Sequence, residues 1–307
     1  MNSRRKFIKN SCIGALGMTI LPSFTIKNEK LTKLTILHTN DTHSRIHPFK
    51  TGKYKGYGGM AERATIINDI RKKNKHVLLF DAGDIFQGTP YFNYFKGELE
   101  LKLMSEMQYD AATLGNHDFD NGLDELEKQL PYANFPFISS NYNFEKTNLK
   151  NKFKKFKIFK KGGIKIGVFG IGVQLEGLVP KKLYGNVIYE DPIIKSNNTA
   201  KFLKKEKKCD LIICLSHLGL KYKTSKVSDI VLAQESKHID LIIGGHTHSF
   251  LEEPLYVKNK EKKDVIINQV GWGGINIGRI DFNFYQNKHL KKVFGSPIFV
   301  KKNTKNA

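Results

Sequence analysis

Leu34-Thr35-Ile36-Leu37-His38-Thr39-Asn40-Asp41-Thr42-His43 runs from an apolar stretch straight into an acid and an imidazole. The first half, Leu34 to His38, reads as a buried strand. The second half presents Asp41 and His43, both metal-binding residue types, on one side of an extended segment. The same grammar recurs along the chain. Val77 to Phe80 leads to Asp81, Gly83 and Asp84, and Ala111 to Leu114 leads to Gly115-Asn116-His117-Asp118. Leu211 to Leu215 leads to Ser216-His217, and Ile239 to Ile243 leads to Gly244-Gly245-His246-Thr247-His248. One polar residue after a strand is ordinary. Five sets of His, Asp or Asn after five strands are hard to assign to packing. The carboxyl ends of sheet strands are where open α/β folds bind ligands.

Helical patterns separate these runs. Gly59 to Lys73 carries Ala61, Ala64, Ile67 and Ile70 at helical spacing. Glu98 to Met107, Leu123 to Leu130, Thr199 to Lys208 and Ser225 to Ser236 read the same way. Ile164 to Ile171 is a further strand. Val265 to Val300 is mostly strand, with a turn at Gly271-Trp272-Gly273-Gly274. The alternation predicts an α/β fold with largely parallel sheets that ends in antiparallel strands. Tyr142 to Lys161 reads as a surface loop and hairpin.

The chain has 307 residues, enough for one or two domains, and no body segment approaches the ~20 apolar residues of a membrane span. Its net charge is +22, carried by 45 Lys against six Arg. Phosphate recognition by nucleic-acid-binding surfaces favours the planar fork of Arg. The Lys excess is therefore read as a solvated surface that attracts small anions, with no nucleic acid and no stable membrane span expected. Cys209 and Cys214 share one apolar run. In a strand they would lie ~16 Å apart on opposite faces, too far to pair.

The ligand types suit Mn, Fe, Zn, Co or Mg: carboxylate, imidazole and amide oxygen, with no thiolate. The ordered pattern D-x-H, G-D, G-N-H-D, H and G-H-x-H, from Asp41 to His248, resembles the calcineurin-like metallophosphoesterases. Thr39 to His43, Asp81 to Pro90 and Gly115 to Asp120 are similar to the 5′-nucleotidase branch. This resemblance implies a four-layer αββα sandwich and two divalent metal ions. Asp41, His43 and His248 would hold one ion, and Asn116, His217 and His246 the other. Asp84 would bridge them, and a water between the ions would attack phosphorus. His117 would stabilise the transition state or protonate the leaving oxygen, and Asp120 would orient His117. Asp120 also reads as a helix N-cap before Asn121-Gly122. Asp81 is expected to accept backbone hydrogen bonds. His38 and His47 match no ligand position and are read as structural. Trp272 either lines the pocket or sits in the core.

The substrate implied is a small phosphoester, a 5′-nucleotide or related phosphomonoester. Cyclic phosphodiesters, nucleotide sugars and thiosulfate esters stay open. The nucleotidase branch carries a C-terminal domain that binds the nucleoside with stacked aromatics. The sequence ends at Ala307, so the expectation is that a separately encoded domain supplies this function, or that the chain is one subunit of a two-chain nucleotidase. Upstream, Arg4-Arg5-Lys6-Phe7 followed by the apolar stretch Cys12 to Leu21 resembles a twin-arginine signal peptide. The expected organisation is a leader and linker over residues 1–30, a catalytic domain over 31–302, and export to the periplasm or exterior.

Overall fold

A computed structural model of the protein describes residues 31–301. The leader expected over residues 1–30 lies outside the described residues. The strands are β1 (Thr32–Thr39), β2 (Val77–Asp81), β3 (Ala111–Ala112), β4 (Tyr142–Asn143), β5 (Phe156–Lys161), β6 (Ile164–Ile171) and β7 (Ile188–Tyr189). They continue with β8 (Leu211–Ser216), β9 (Leu241–Ile243), β10 (Leu255–Lys258), β11 (Asp264–Asn268), β12 (Asn276–Phe284) and β13 (Leu290–Phe299).

Alternation along β1 explains the layering. Leu34 and Ile36 face one way and meet Ile166, Val168, Ile213 and Ile243 of a second sheet. Leu37 faces the other way, onto Ile67 and Ile70 of the Met60–Lys73 helix. Behind the second sheet, Ile212 and Cys214 pack against Ala200, Leu203 and Leu232. Helices therefore cover the outer face of each sheet, and the two sheets bury their inner faces against each other. This is the four-layer αββα arrangement. The first sheet has the order β13-β12-β1-β2-β3, with β1, β2 and β3 parallel. The second has the order β10-β11-β9-β8-β6-β5, parallel in its centre and antiparallel at both edges.

Register puts the functional loops at one edge. Thr39 pairs with Asp81, and Asp81 with Ala112. In the second sheet Ile171 pairs with Ser216, and Leu215 with Ile243. Parallel strands that end level with one another release their loops side by side.

Several element boundaries differ from the expected ones, each for a local reason. The helix expected from Thr199 begins at Pro192, because Asp191 caps it by accepting from the Ile194 N–H at 2.8 Å. The helix expected from Ser225 begins at Asp229 behind the cap Ser228. β3 stops at Ala112, and Leu114 lies beyond it. A short helix, Pro90–Phe95, was not legible in the apolar pattern. Tyr142 to Lys161 divides into β4 and β5, the latter paired with β6 across Gly162-Gly163. Cys209 and Cys214 are unpaired, but they do not face opposite ways. Cys209 precedes β8, so both pack in the same outer layer. Among the described residues no helix is long and apolar enough to cross a membrane.

Candidate metal centre

Five of the seven candidate ligands sit on left-handed backbone. Asp41, His43, Asp84, His246 and His248 have φ between 47° and 72°. For residues with a Cβ this conformation costs on the order of 1 kcal/mol or more each. Cross-loop hydrogen bonds hold it. The Asp41 N–H donates to the Gly83 carbonyl (2.9 Å) and the His43 N–H to the Asp84 carbonyl (3.1 Å). The His246 N–H donates to both carboxylate oxygens of Asp41, each at 3.0 Å. Glycine is required where the loops touch: a Cβ on Gly115 would lie 2.2 Å from Asp84 Oδ1.

Two ligand groups result. Asp41, His43 and His248 bring one donor atom each to within 4.8 Å of one another, and Asp84, His217 and His246 do the same. In the first, His43 Nε2 lies 3.0 Å from His248 Nε2, and His248 Nε2 lies 3.3 Å from Asp41 Oδ1. In the second, His217 Nε2 lies 3.1 Å from Asp84 Oδ2. Asp84 Oδ2 also lies 3.9 Å from His43 Nε2, so this one oxygen faces both groups. Asn116 stands beside it. The His117 N–H donates to Asp84 Oδ1 at 2.8 Å, while Asn116 Oδ1 is buried with no hydrogen-bond partner.

These residues fit divalent cations. His217 Nδ1–H donates to the Ala82 carbonyl (2.7 Å) and His43 Nδ1–H to the Phe86 carbonyl (3.3 Å). Each ring thereby keeps its Nε2 lone pair for the centre, as metal-ligating imidazoles do. His43 Nε2 faces His248 Nε2 at 3.0 Å, a separation that a proton or a cation between the two nitrogens accommodates. Without a cation, burial disfavours both charges of the Asp84–His217 pair. Their mutual attraction nevertheless holds Asp84 below the carboxylate range and His217 up at about 10. Coordination replaces that proton. Burial and neighbouring His217 push His246 down to about 4, keeping it neutral and available as a ligand.

His117 is half-buried, its ring centroid 5.4 Å from that of His43. Its Nδ1 lies 2.8 Å from Asp120 Oδ2. That hydrogen bond, with smaller help from Asp84, raises its pKa against the pull of burial. Asp120 does not cap the Gly122–Gln129 helix. Asn121 occupies the cap position, with no side-chain cap bond. Asp81 accepts from the Gly83 N–H (2.9 Å) and from Thr39 Oγ1 (2.6 Å), away from the ligand groups. His38 is fully buried, its Nε2 2.9 Å from Asn268 Nδ2. His47 is exposed and packs its ring near Tyr91. Trp272 is half-buried and stacks on His248, with ring centroids 5.8 Å apart and planes at 15°.

Two residues of the quoted motifs have supporting roles that the sequence reading did not assign. Asp118 accepts four backbone N–H bonds, from Gly115 (2.8 Å), Asp84 (3.0 Å), Ile85 (3.0 Å) and Phe86 (3.2 Å). It ties the Asp84 loop to the Asn116 loop. Asn40 donates to Asp41 Oδ2 and to the Gly271 carbonyl, both at 2.6 Å, and accepts from the Val270 N–H. It ties a ligand to the Trp272 loop. Both lie inside the quoted motifs, Asn40 within Thr39 to His43 and Asp118 within Gly115 to Asp118, but the sequence assigned neither a role.

The chain matches the calcineurin-like phosphoesterase family model over residues 34–250. It is 35% identical over 292 residues to a snake venom 5′-nucleotidase of Crotalus adamanteus, covering 88% of this chain and 48% of that protein. It is 35% identical to a 5′-nucleotidase of Vibrio cholerae, covering 87% of this chain and 52% of the relative. The crystal structure of a 5′-nucleotidase precursor from Thermus thermophilus superposes with a TM-score of 0.80 at 30% identity. That match covers 88% of this chain and 55% of the other. The chain thus spans about half the length of the curated relatives it matches. With the family pattern spread over most of the described residues, and its ligand types gathered at the strand ends of both sheets, the chain belongs to the calcineurin-like phosphoesterase family.

Proposed function

We propose that the protein hydrolyses small phosphomonoesters, 5′-nucleotides among them, with two divalent metal ions. The observation that carries this reading is Asp84, whose Oδ2 faces His217 at 3.1 Å and His43 at 3.9 Å. One carboxylate oxygen thereby faces two separate imidazole sets. Asp41, His43 and His248 would hold one ion. Asn116, His217 and His246 would hold the second, with Asp84 shared. When bound, such ions supply Lewis acidity, neutralising phosphate charge and lowering the pKa of water.

The remaining work falls to side chains of this chain. His117 Nδ1 is engaged by Asp120, so Nε2 is the nitrogen left to give a proton to the departing oxygen. Asp120 fixes the ring and favours its protonated form. The surplus of Lys draws anionic substrate toward the molecule. The leader at Arg4-Arg5 is part of the proposal as an export address, and changing both residues to Lys is expected to keep the protein inside the cell.

The test is hydrolysis of a panel of phosphoesters by the purified chain with Mn, Co, Zn, Mg or Ca added. Release of phosphate from nucleoside monophosphates, dependent on metal and on Asp84, is the expected result. No hydrolysis of any phosphoester with any of these metals overturns the reading.

A further inference from the structure

Beside the first ligand group lies a cavity of about 470 Å³, within the ~300–1,000 Å³ of small-molecule sites. Two segments line it: residues 45–51 and residues 89–91. Both are tied to His43. Ser44 follows it directly, and Thr89 Oγ1 donates to the Ser44 carbonyl at 2.8 Å. A Cβ on Gly88 would lie 3.0 Å from His43 Cβ, so the second segment passes against the ligand itself. A chain of rings joins the cavity to His248, the part-exposed ligand of the same group. Phe49 meets Trp272 edge-on, with centroids 5.3 Å apart, and Trp272 stacks on His248.

The lining has a definite chemistry. Phe49, Pro48, Pro90 and Tyr91 supply flat apolar surface. The Arg45 guanidinium lies 4.0 Å over the Phe49 ring, and its Nε is buried with no hydrogen-bond partner. Lys50 also lines the cavity, and none of its lining residues is acidic. Flat ring surfaces bind flat rings in sequence-tolerant fashion. The positive charge of Arg45 and Lys50 in the lining favours an occupant that carries an acceptor.

We infer that this cavity receives the leaving group of the phosphoester, a planar aromatic ring bearing a hydrogen-bond acceptor, while the phosphate sits at the ligand groups. The inference rests on the phosphoesterase reading for its function as a leaving-group site. It assigns ring recognition to the same domain that carries the metal ligands.

The experiment has two readouts. Adenosine is titrated into the full chain without metal, following the fluorescence of Trp272, the one tryptophan. A saturable change is expected. Tyr91→Leu, which lines the cavity and has no ring contact with Trp272, should weaken it about tenfold, the scale of one lost ring contact. Arg45→Gln should weaken it as well. With metal added, the ratio of kcat/KM for 2-naphthyl phosphate over glycerol phosphate should fall about tenfold in Phe49→Leu and Tyr91→Leu, mostly through KM. Leu keeps apolar bulk, and melting curves show whether the variants fold. No saturable adenosine signal, or a signal and a substrate ratio indifferent to all three substitutions, overturns the inference while leaving hydrolysis intact. Adenosine binding that depends on Tyr91, with no phosphoester hydrolysed, overturns the proposed function and supports the ring site alone.

Discussion

The Nε2 atoms of His43 and His248 face each other at 3.0 Å, with Asp41 Oδ1 3.3 Å from the latter. With His43 Nδ1–H on the Phe86 carbonyl, His43 Nε2 is the acceptor and a proton on His248 Nε2 can bridge the pair. A cation that takes the place of this proton binds both nitrogens, so metal binding and folding stability are coupled here. Titration with Mn should approach two ions per chain by calorimetry. At a hundredfold excess over Kd each site adds ~2.7 kcal/mol, which raises Tm by several degrees. Asp84→Ala should remove most of this gain, because Asp84 faces both groups. A clean stoichiometry of one in wild type, or full metal loading in the variant, contradicts the shared-carboxylate arrangement.

The His117 ring bonds Asp120 and adds no donor atom to either ligand group, although its N–H donates to Asp84 Oδ1. His117→Asn should keep both ions while lowering turnover of a nucleoside monophosphate by ~10²-fold or more, the scale of general acid–base help. An activated aryl ester needs less protonation of its leaving oxygen and should lose less. Asp120→Asn should show a weaker form of the same pattern. Loss of metal together with activity in His117→Asn would place this ring among the ligands instead.

Asp118 is the knot of the centre. Its two oxygens accept from Gly115, Asp84, Ile85 and Phe86. An amide offers a single acceptor oxygen, so Asp118→Asn strands buried N–H groups at roughly 1–3 kcal/mol each. Denaturant titration should report lower stability, and Mn affinity should fall although Asp118 contributes no ligand atom. Unchanged values for both would show that the two loops hold their geometry without it.

His38 sets an acid limit on the fold. Burial alone pushes its pKa from 6.5 down to about 3. The unfolded chain therefore binds a proton between these values that the folded chain refuses. Stability from this group is fully present above about 6.5 and is lost as pH falls toward 3. Between pH 7 and pH 5 the loss approaches ~2 kcal/mol by linkage. His38→Gln can still accept from Asn268 and carries no titrating ring. Its denaturation midpoint should fall less over that interval than the wild-type midpoint. Parallel decline in both proteins would remove His38 from the acid limb.

What the sequence determined by itself were the strand cores and the identity of the candidate ligands. Leu34 to His38, Val77 to Phe80 and Leu211 to Leu215 announce themselves because fully buried strands must be apolar throughout. The residues just past their ends stand out because Asp41, His43 and His217 have no other reason to follow a buried run. The role of the supporting residues was not legible, although both stand inside the motifs. Asp118 and Asn40 act through main-chain N–H and C=O groups of loops up to 231 residues away, and a backbone donor looks the same under any side chain. Helix starts at Pro192 and Asp229 were set by the caps Asp191 and Ser228, whose single hydrogen bonds have no periodicity. The choice of Asp120 as partner to His117 rather than as a cap was geometric. Only the tertiary structure brought Phe49, Tyr91 and Trp272 around the first ligand group, because neighbouring rings on three separate segments share no spacing in the chain.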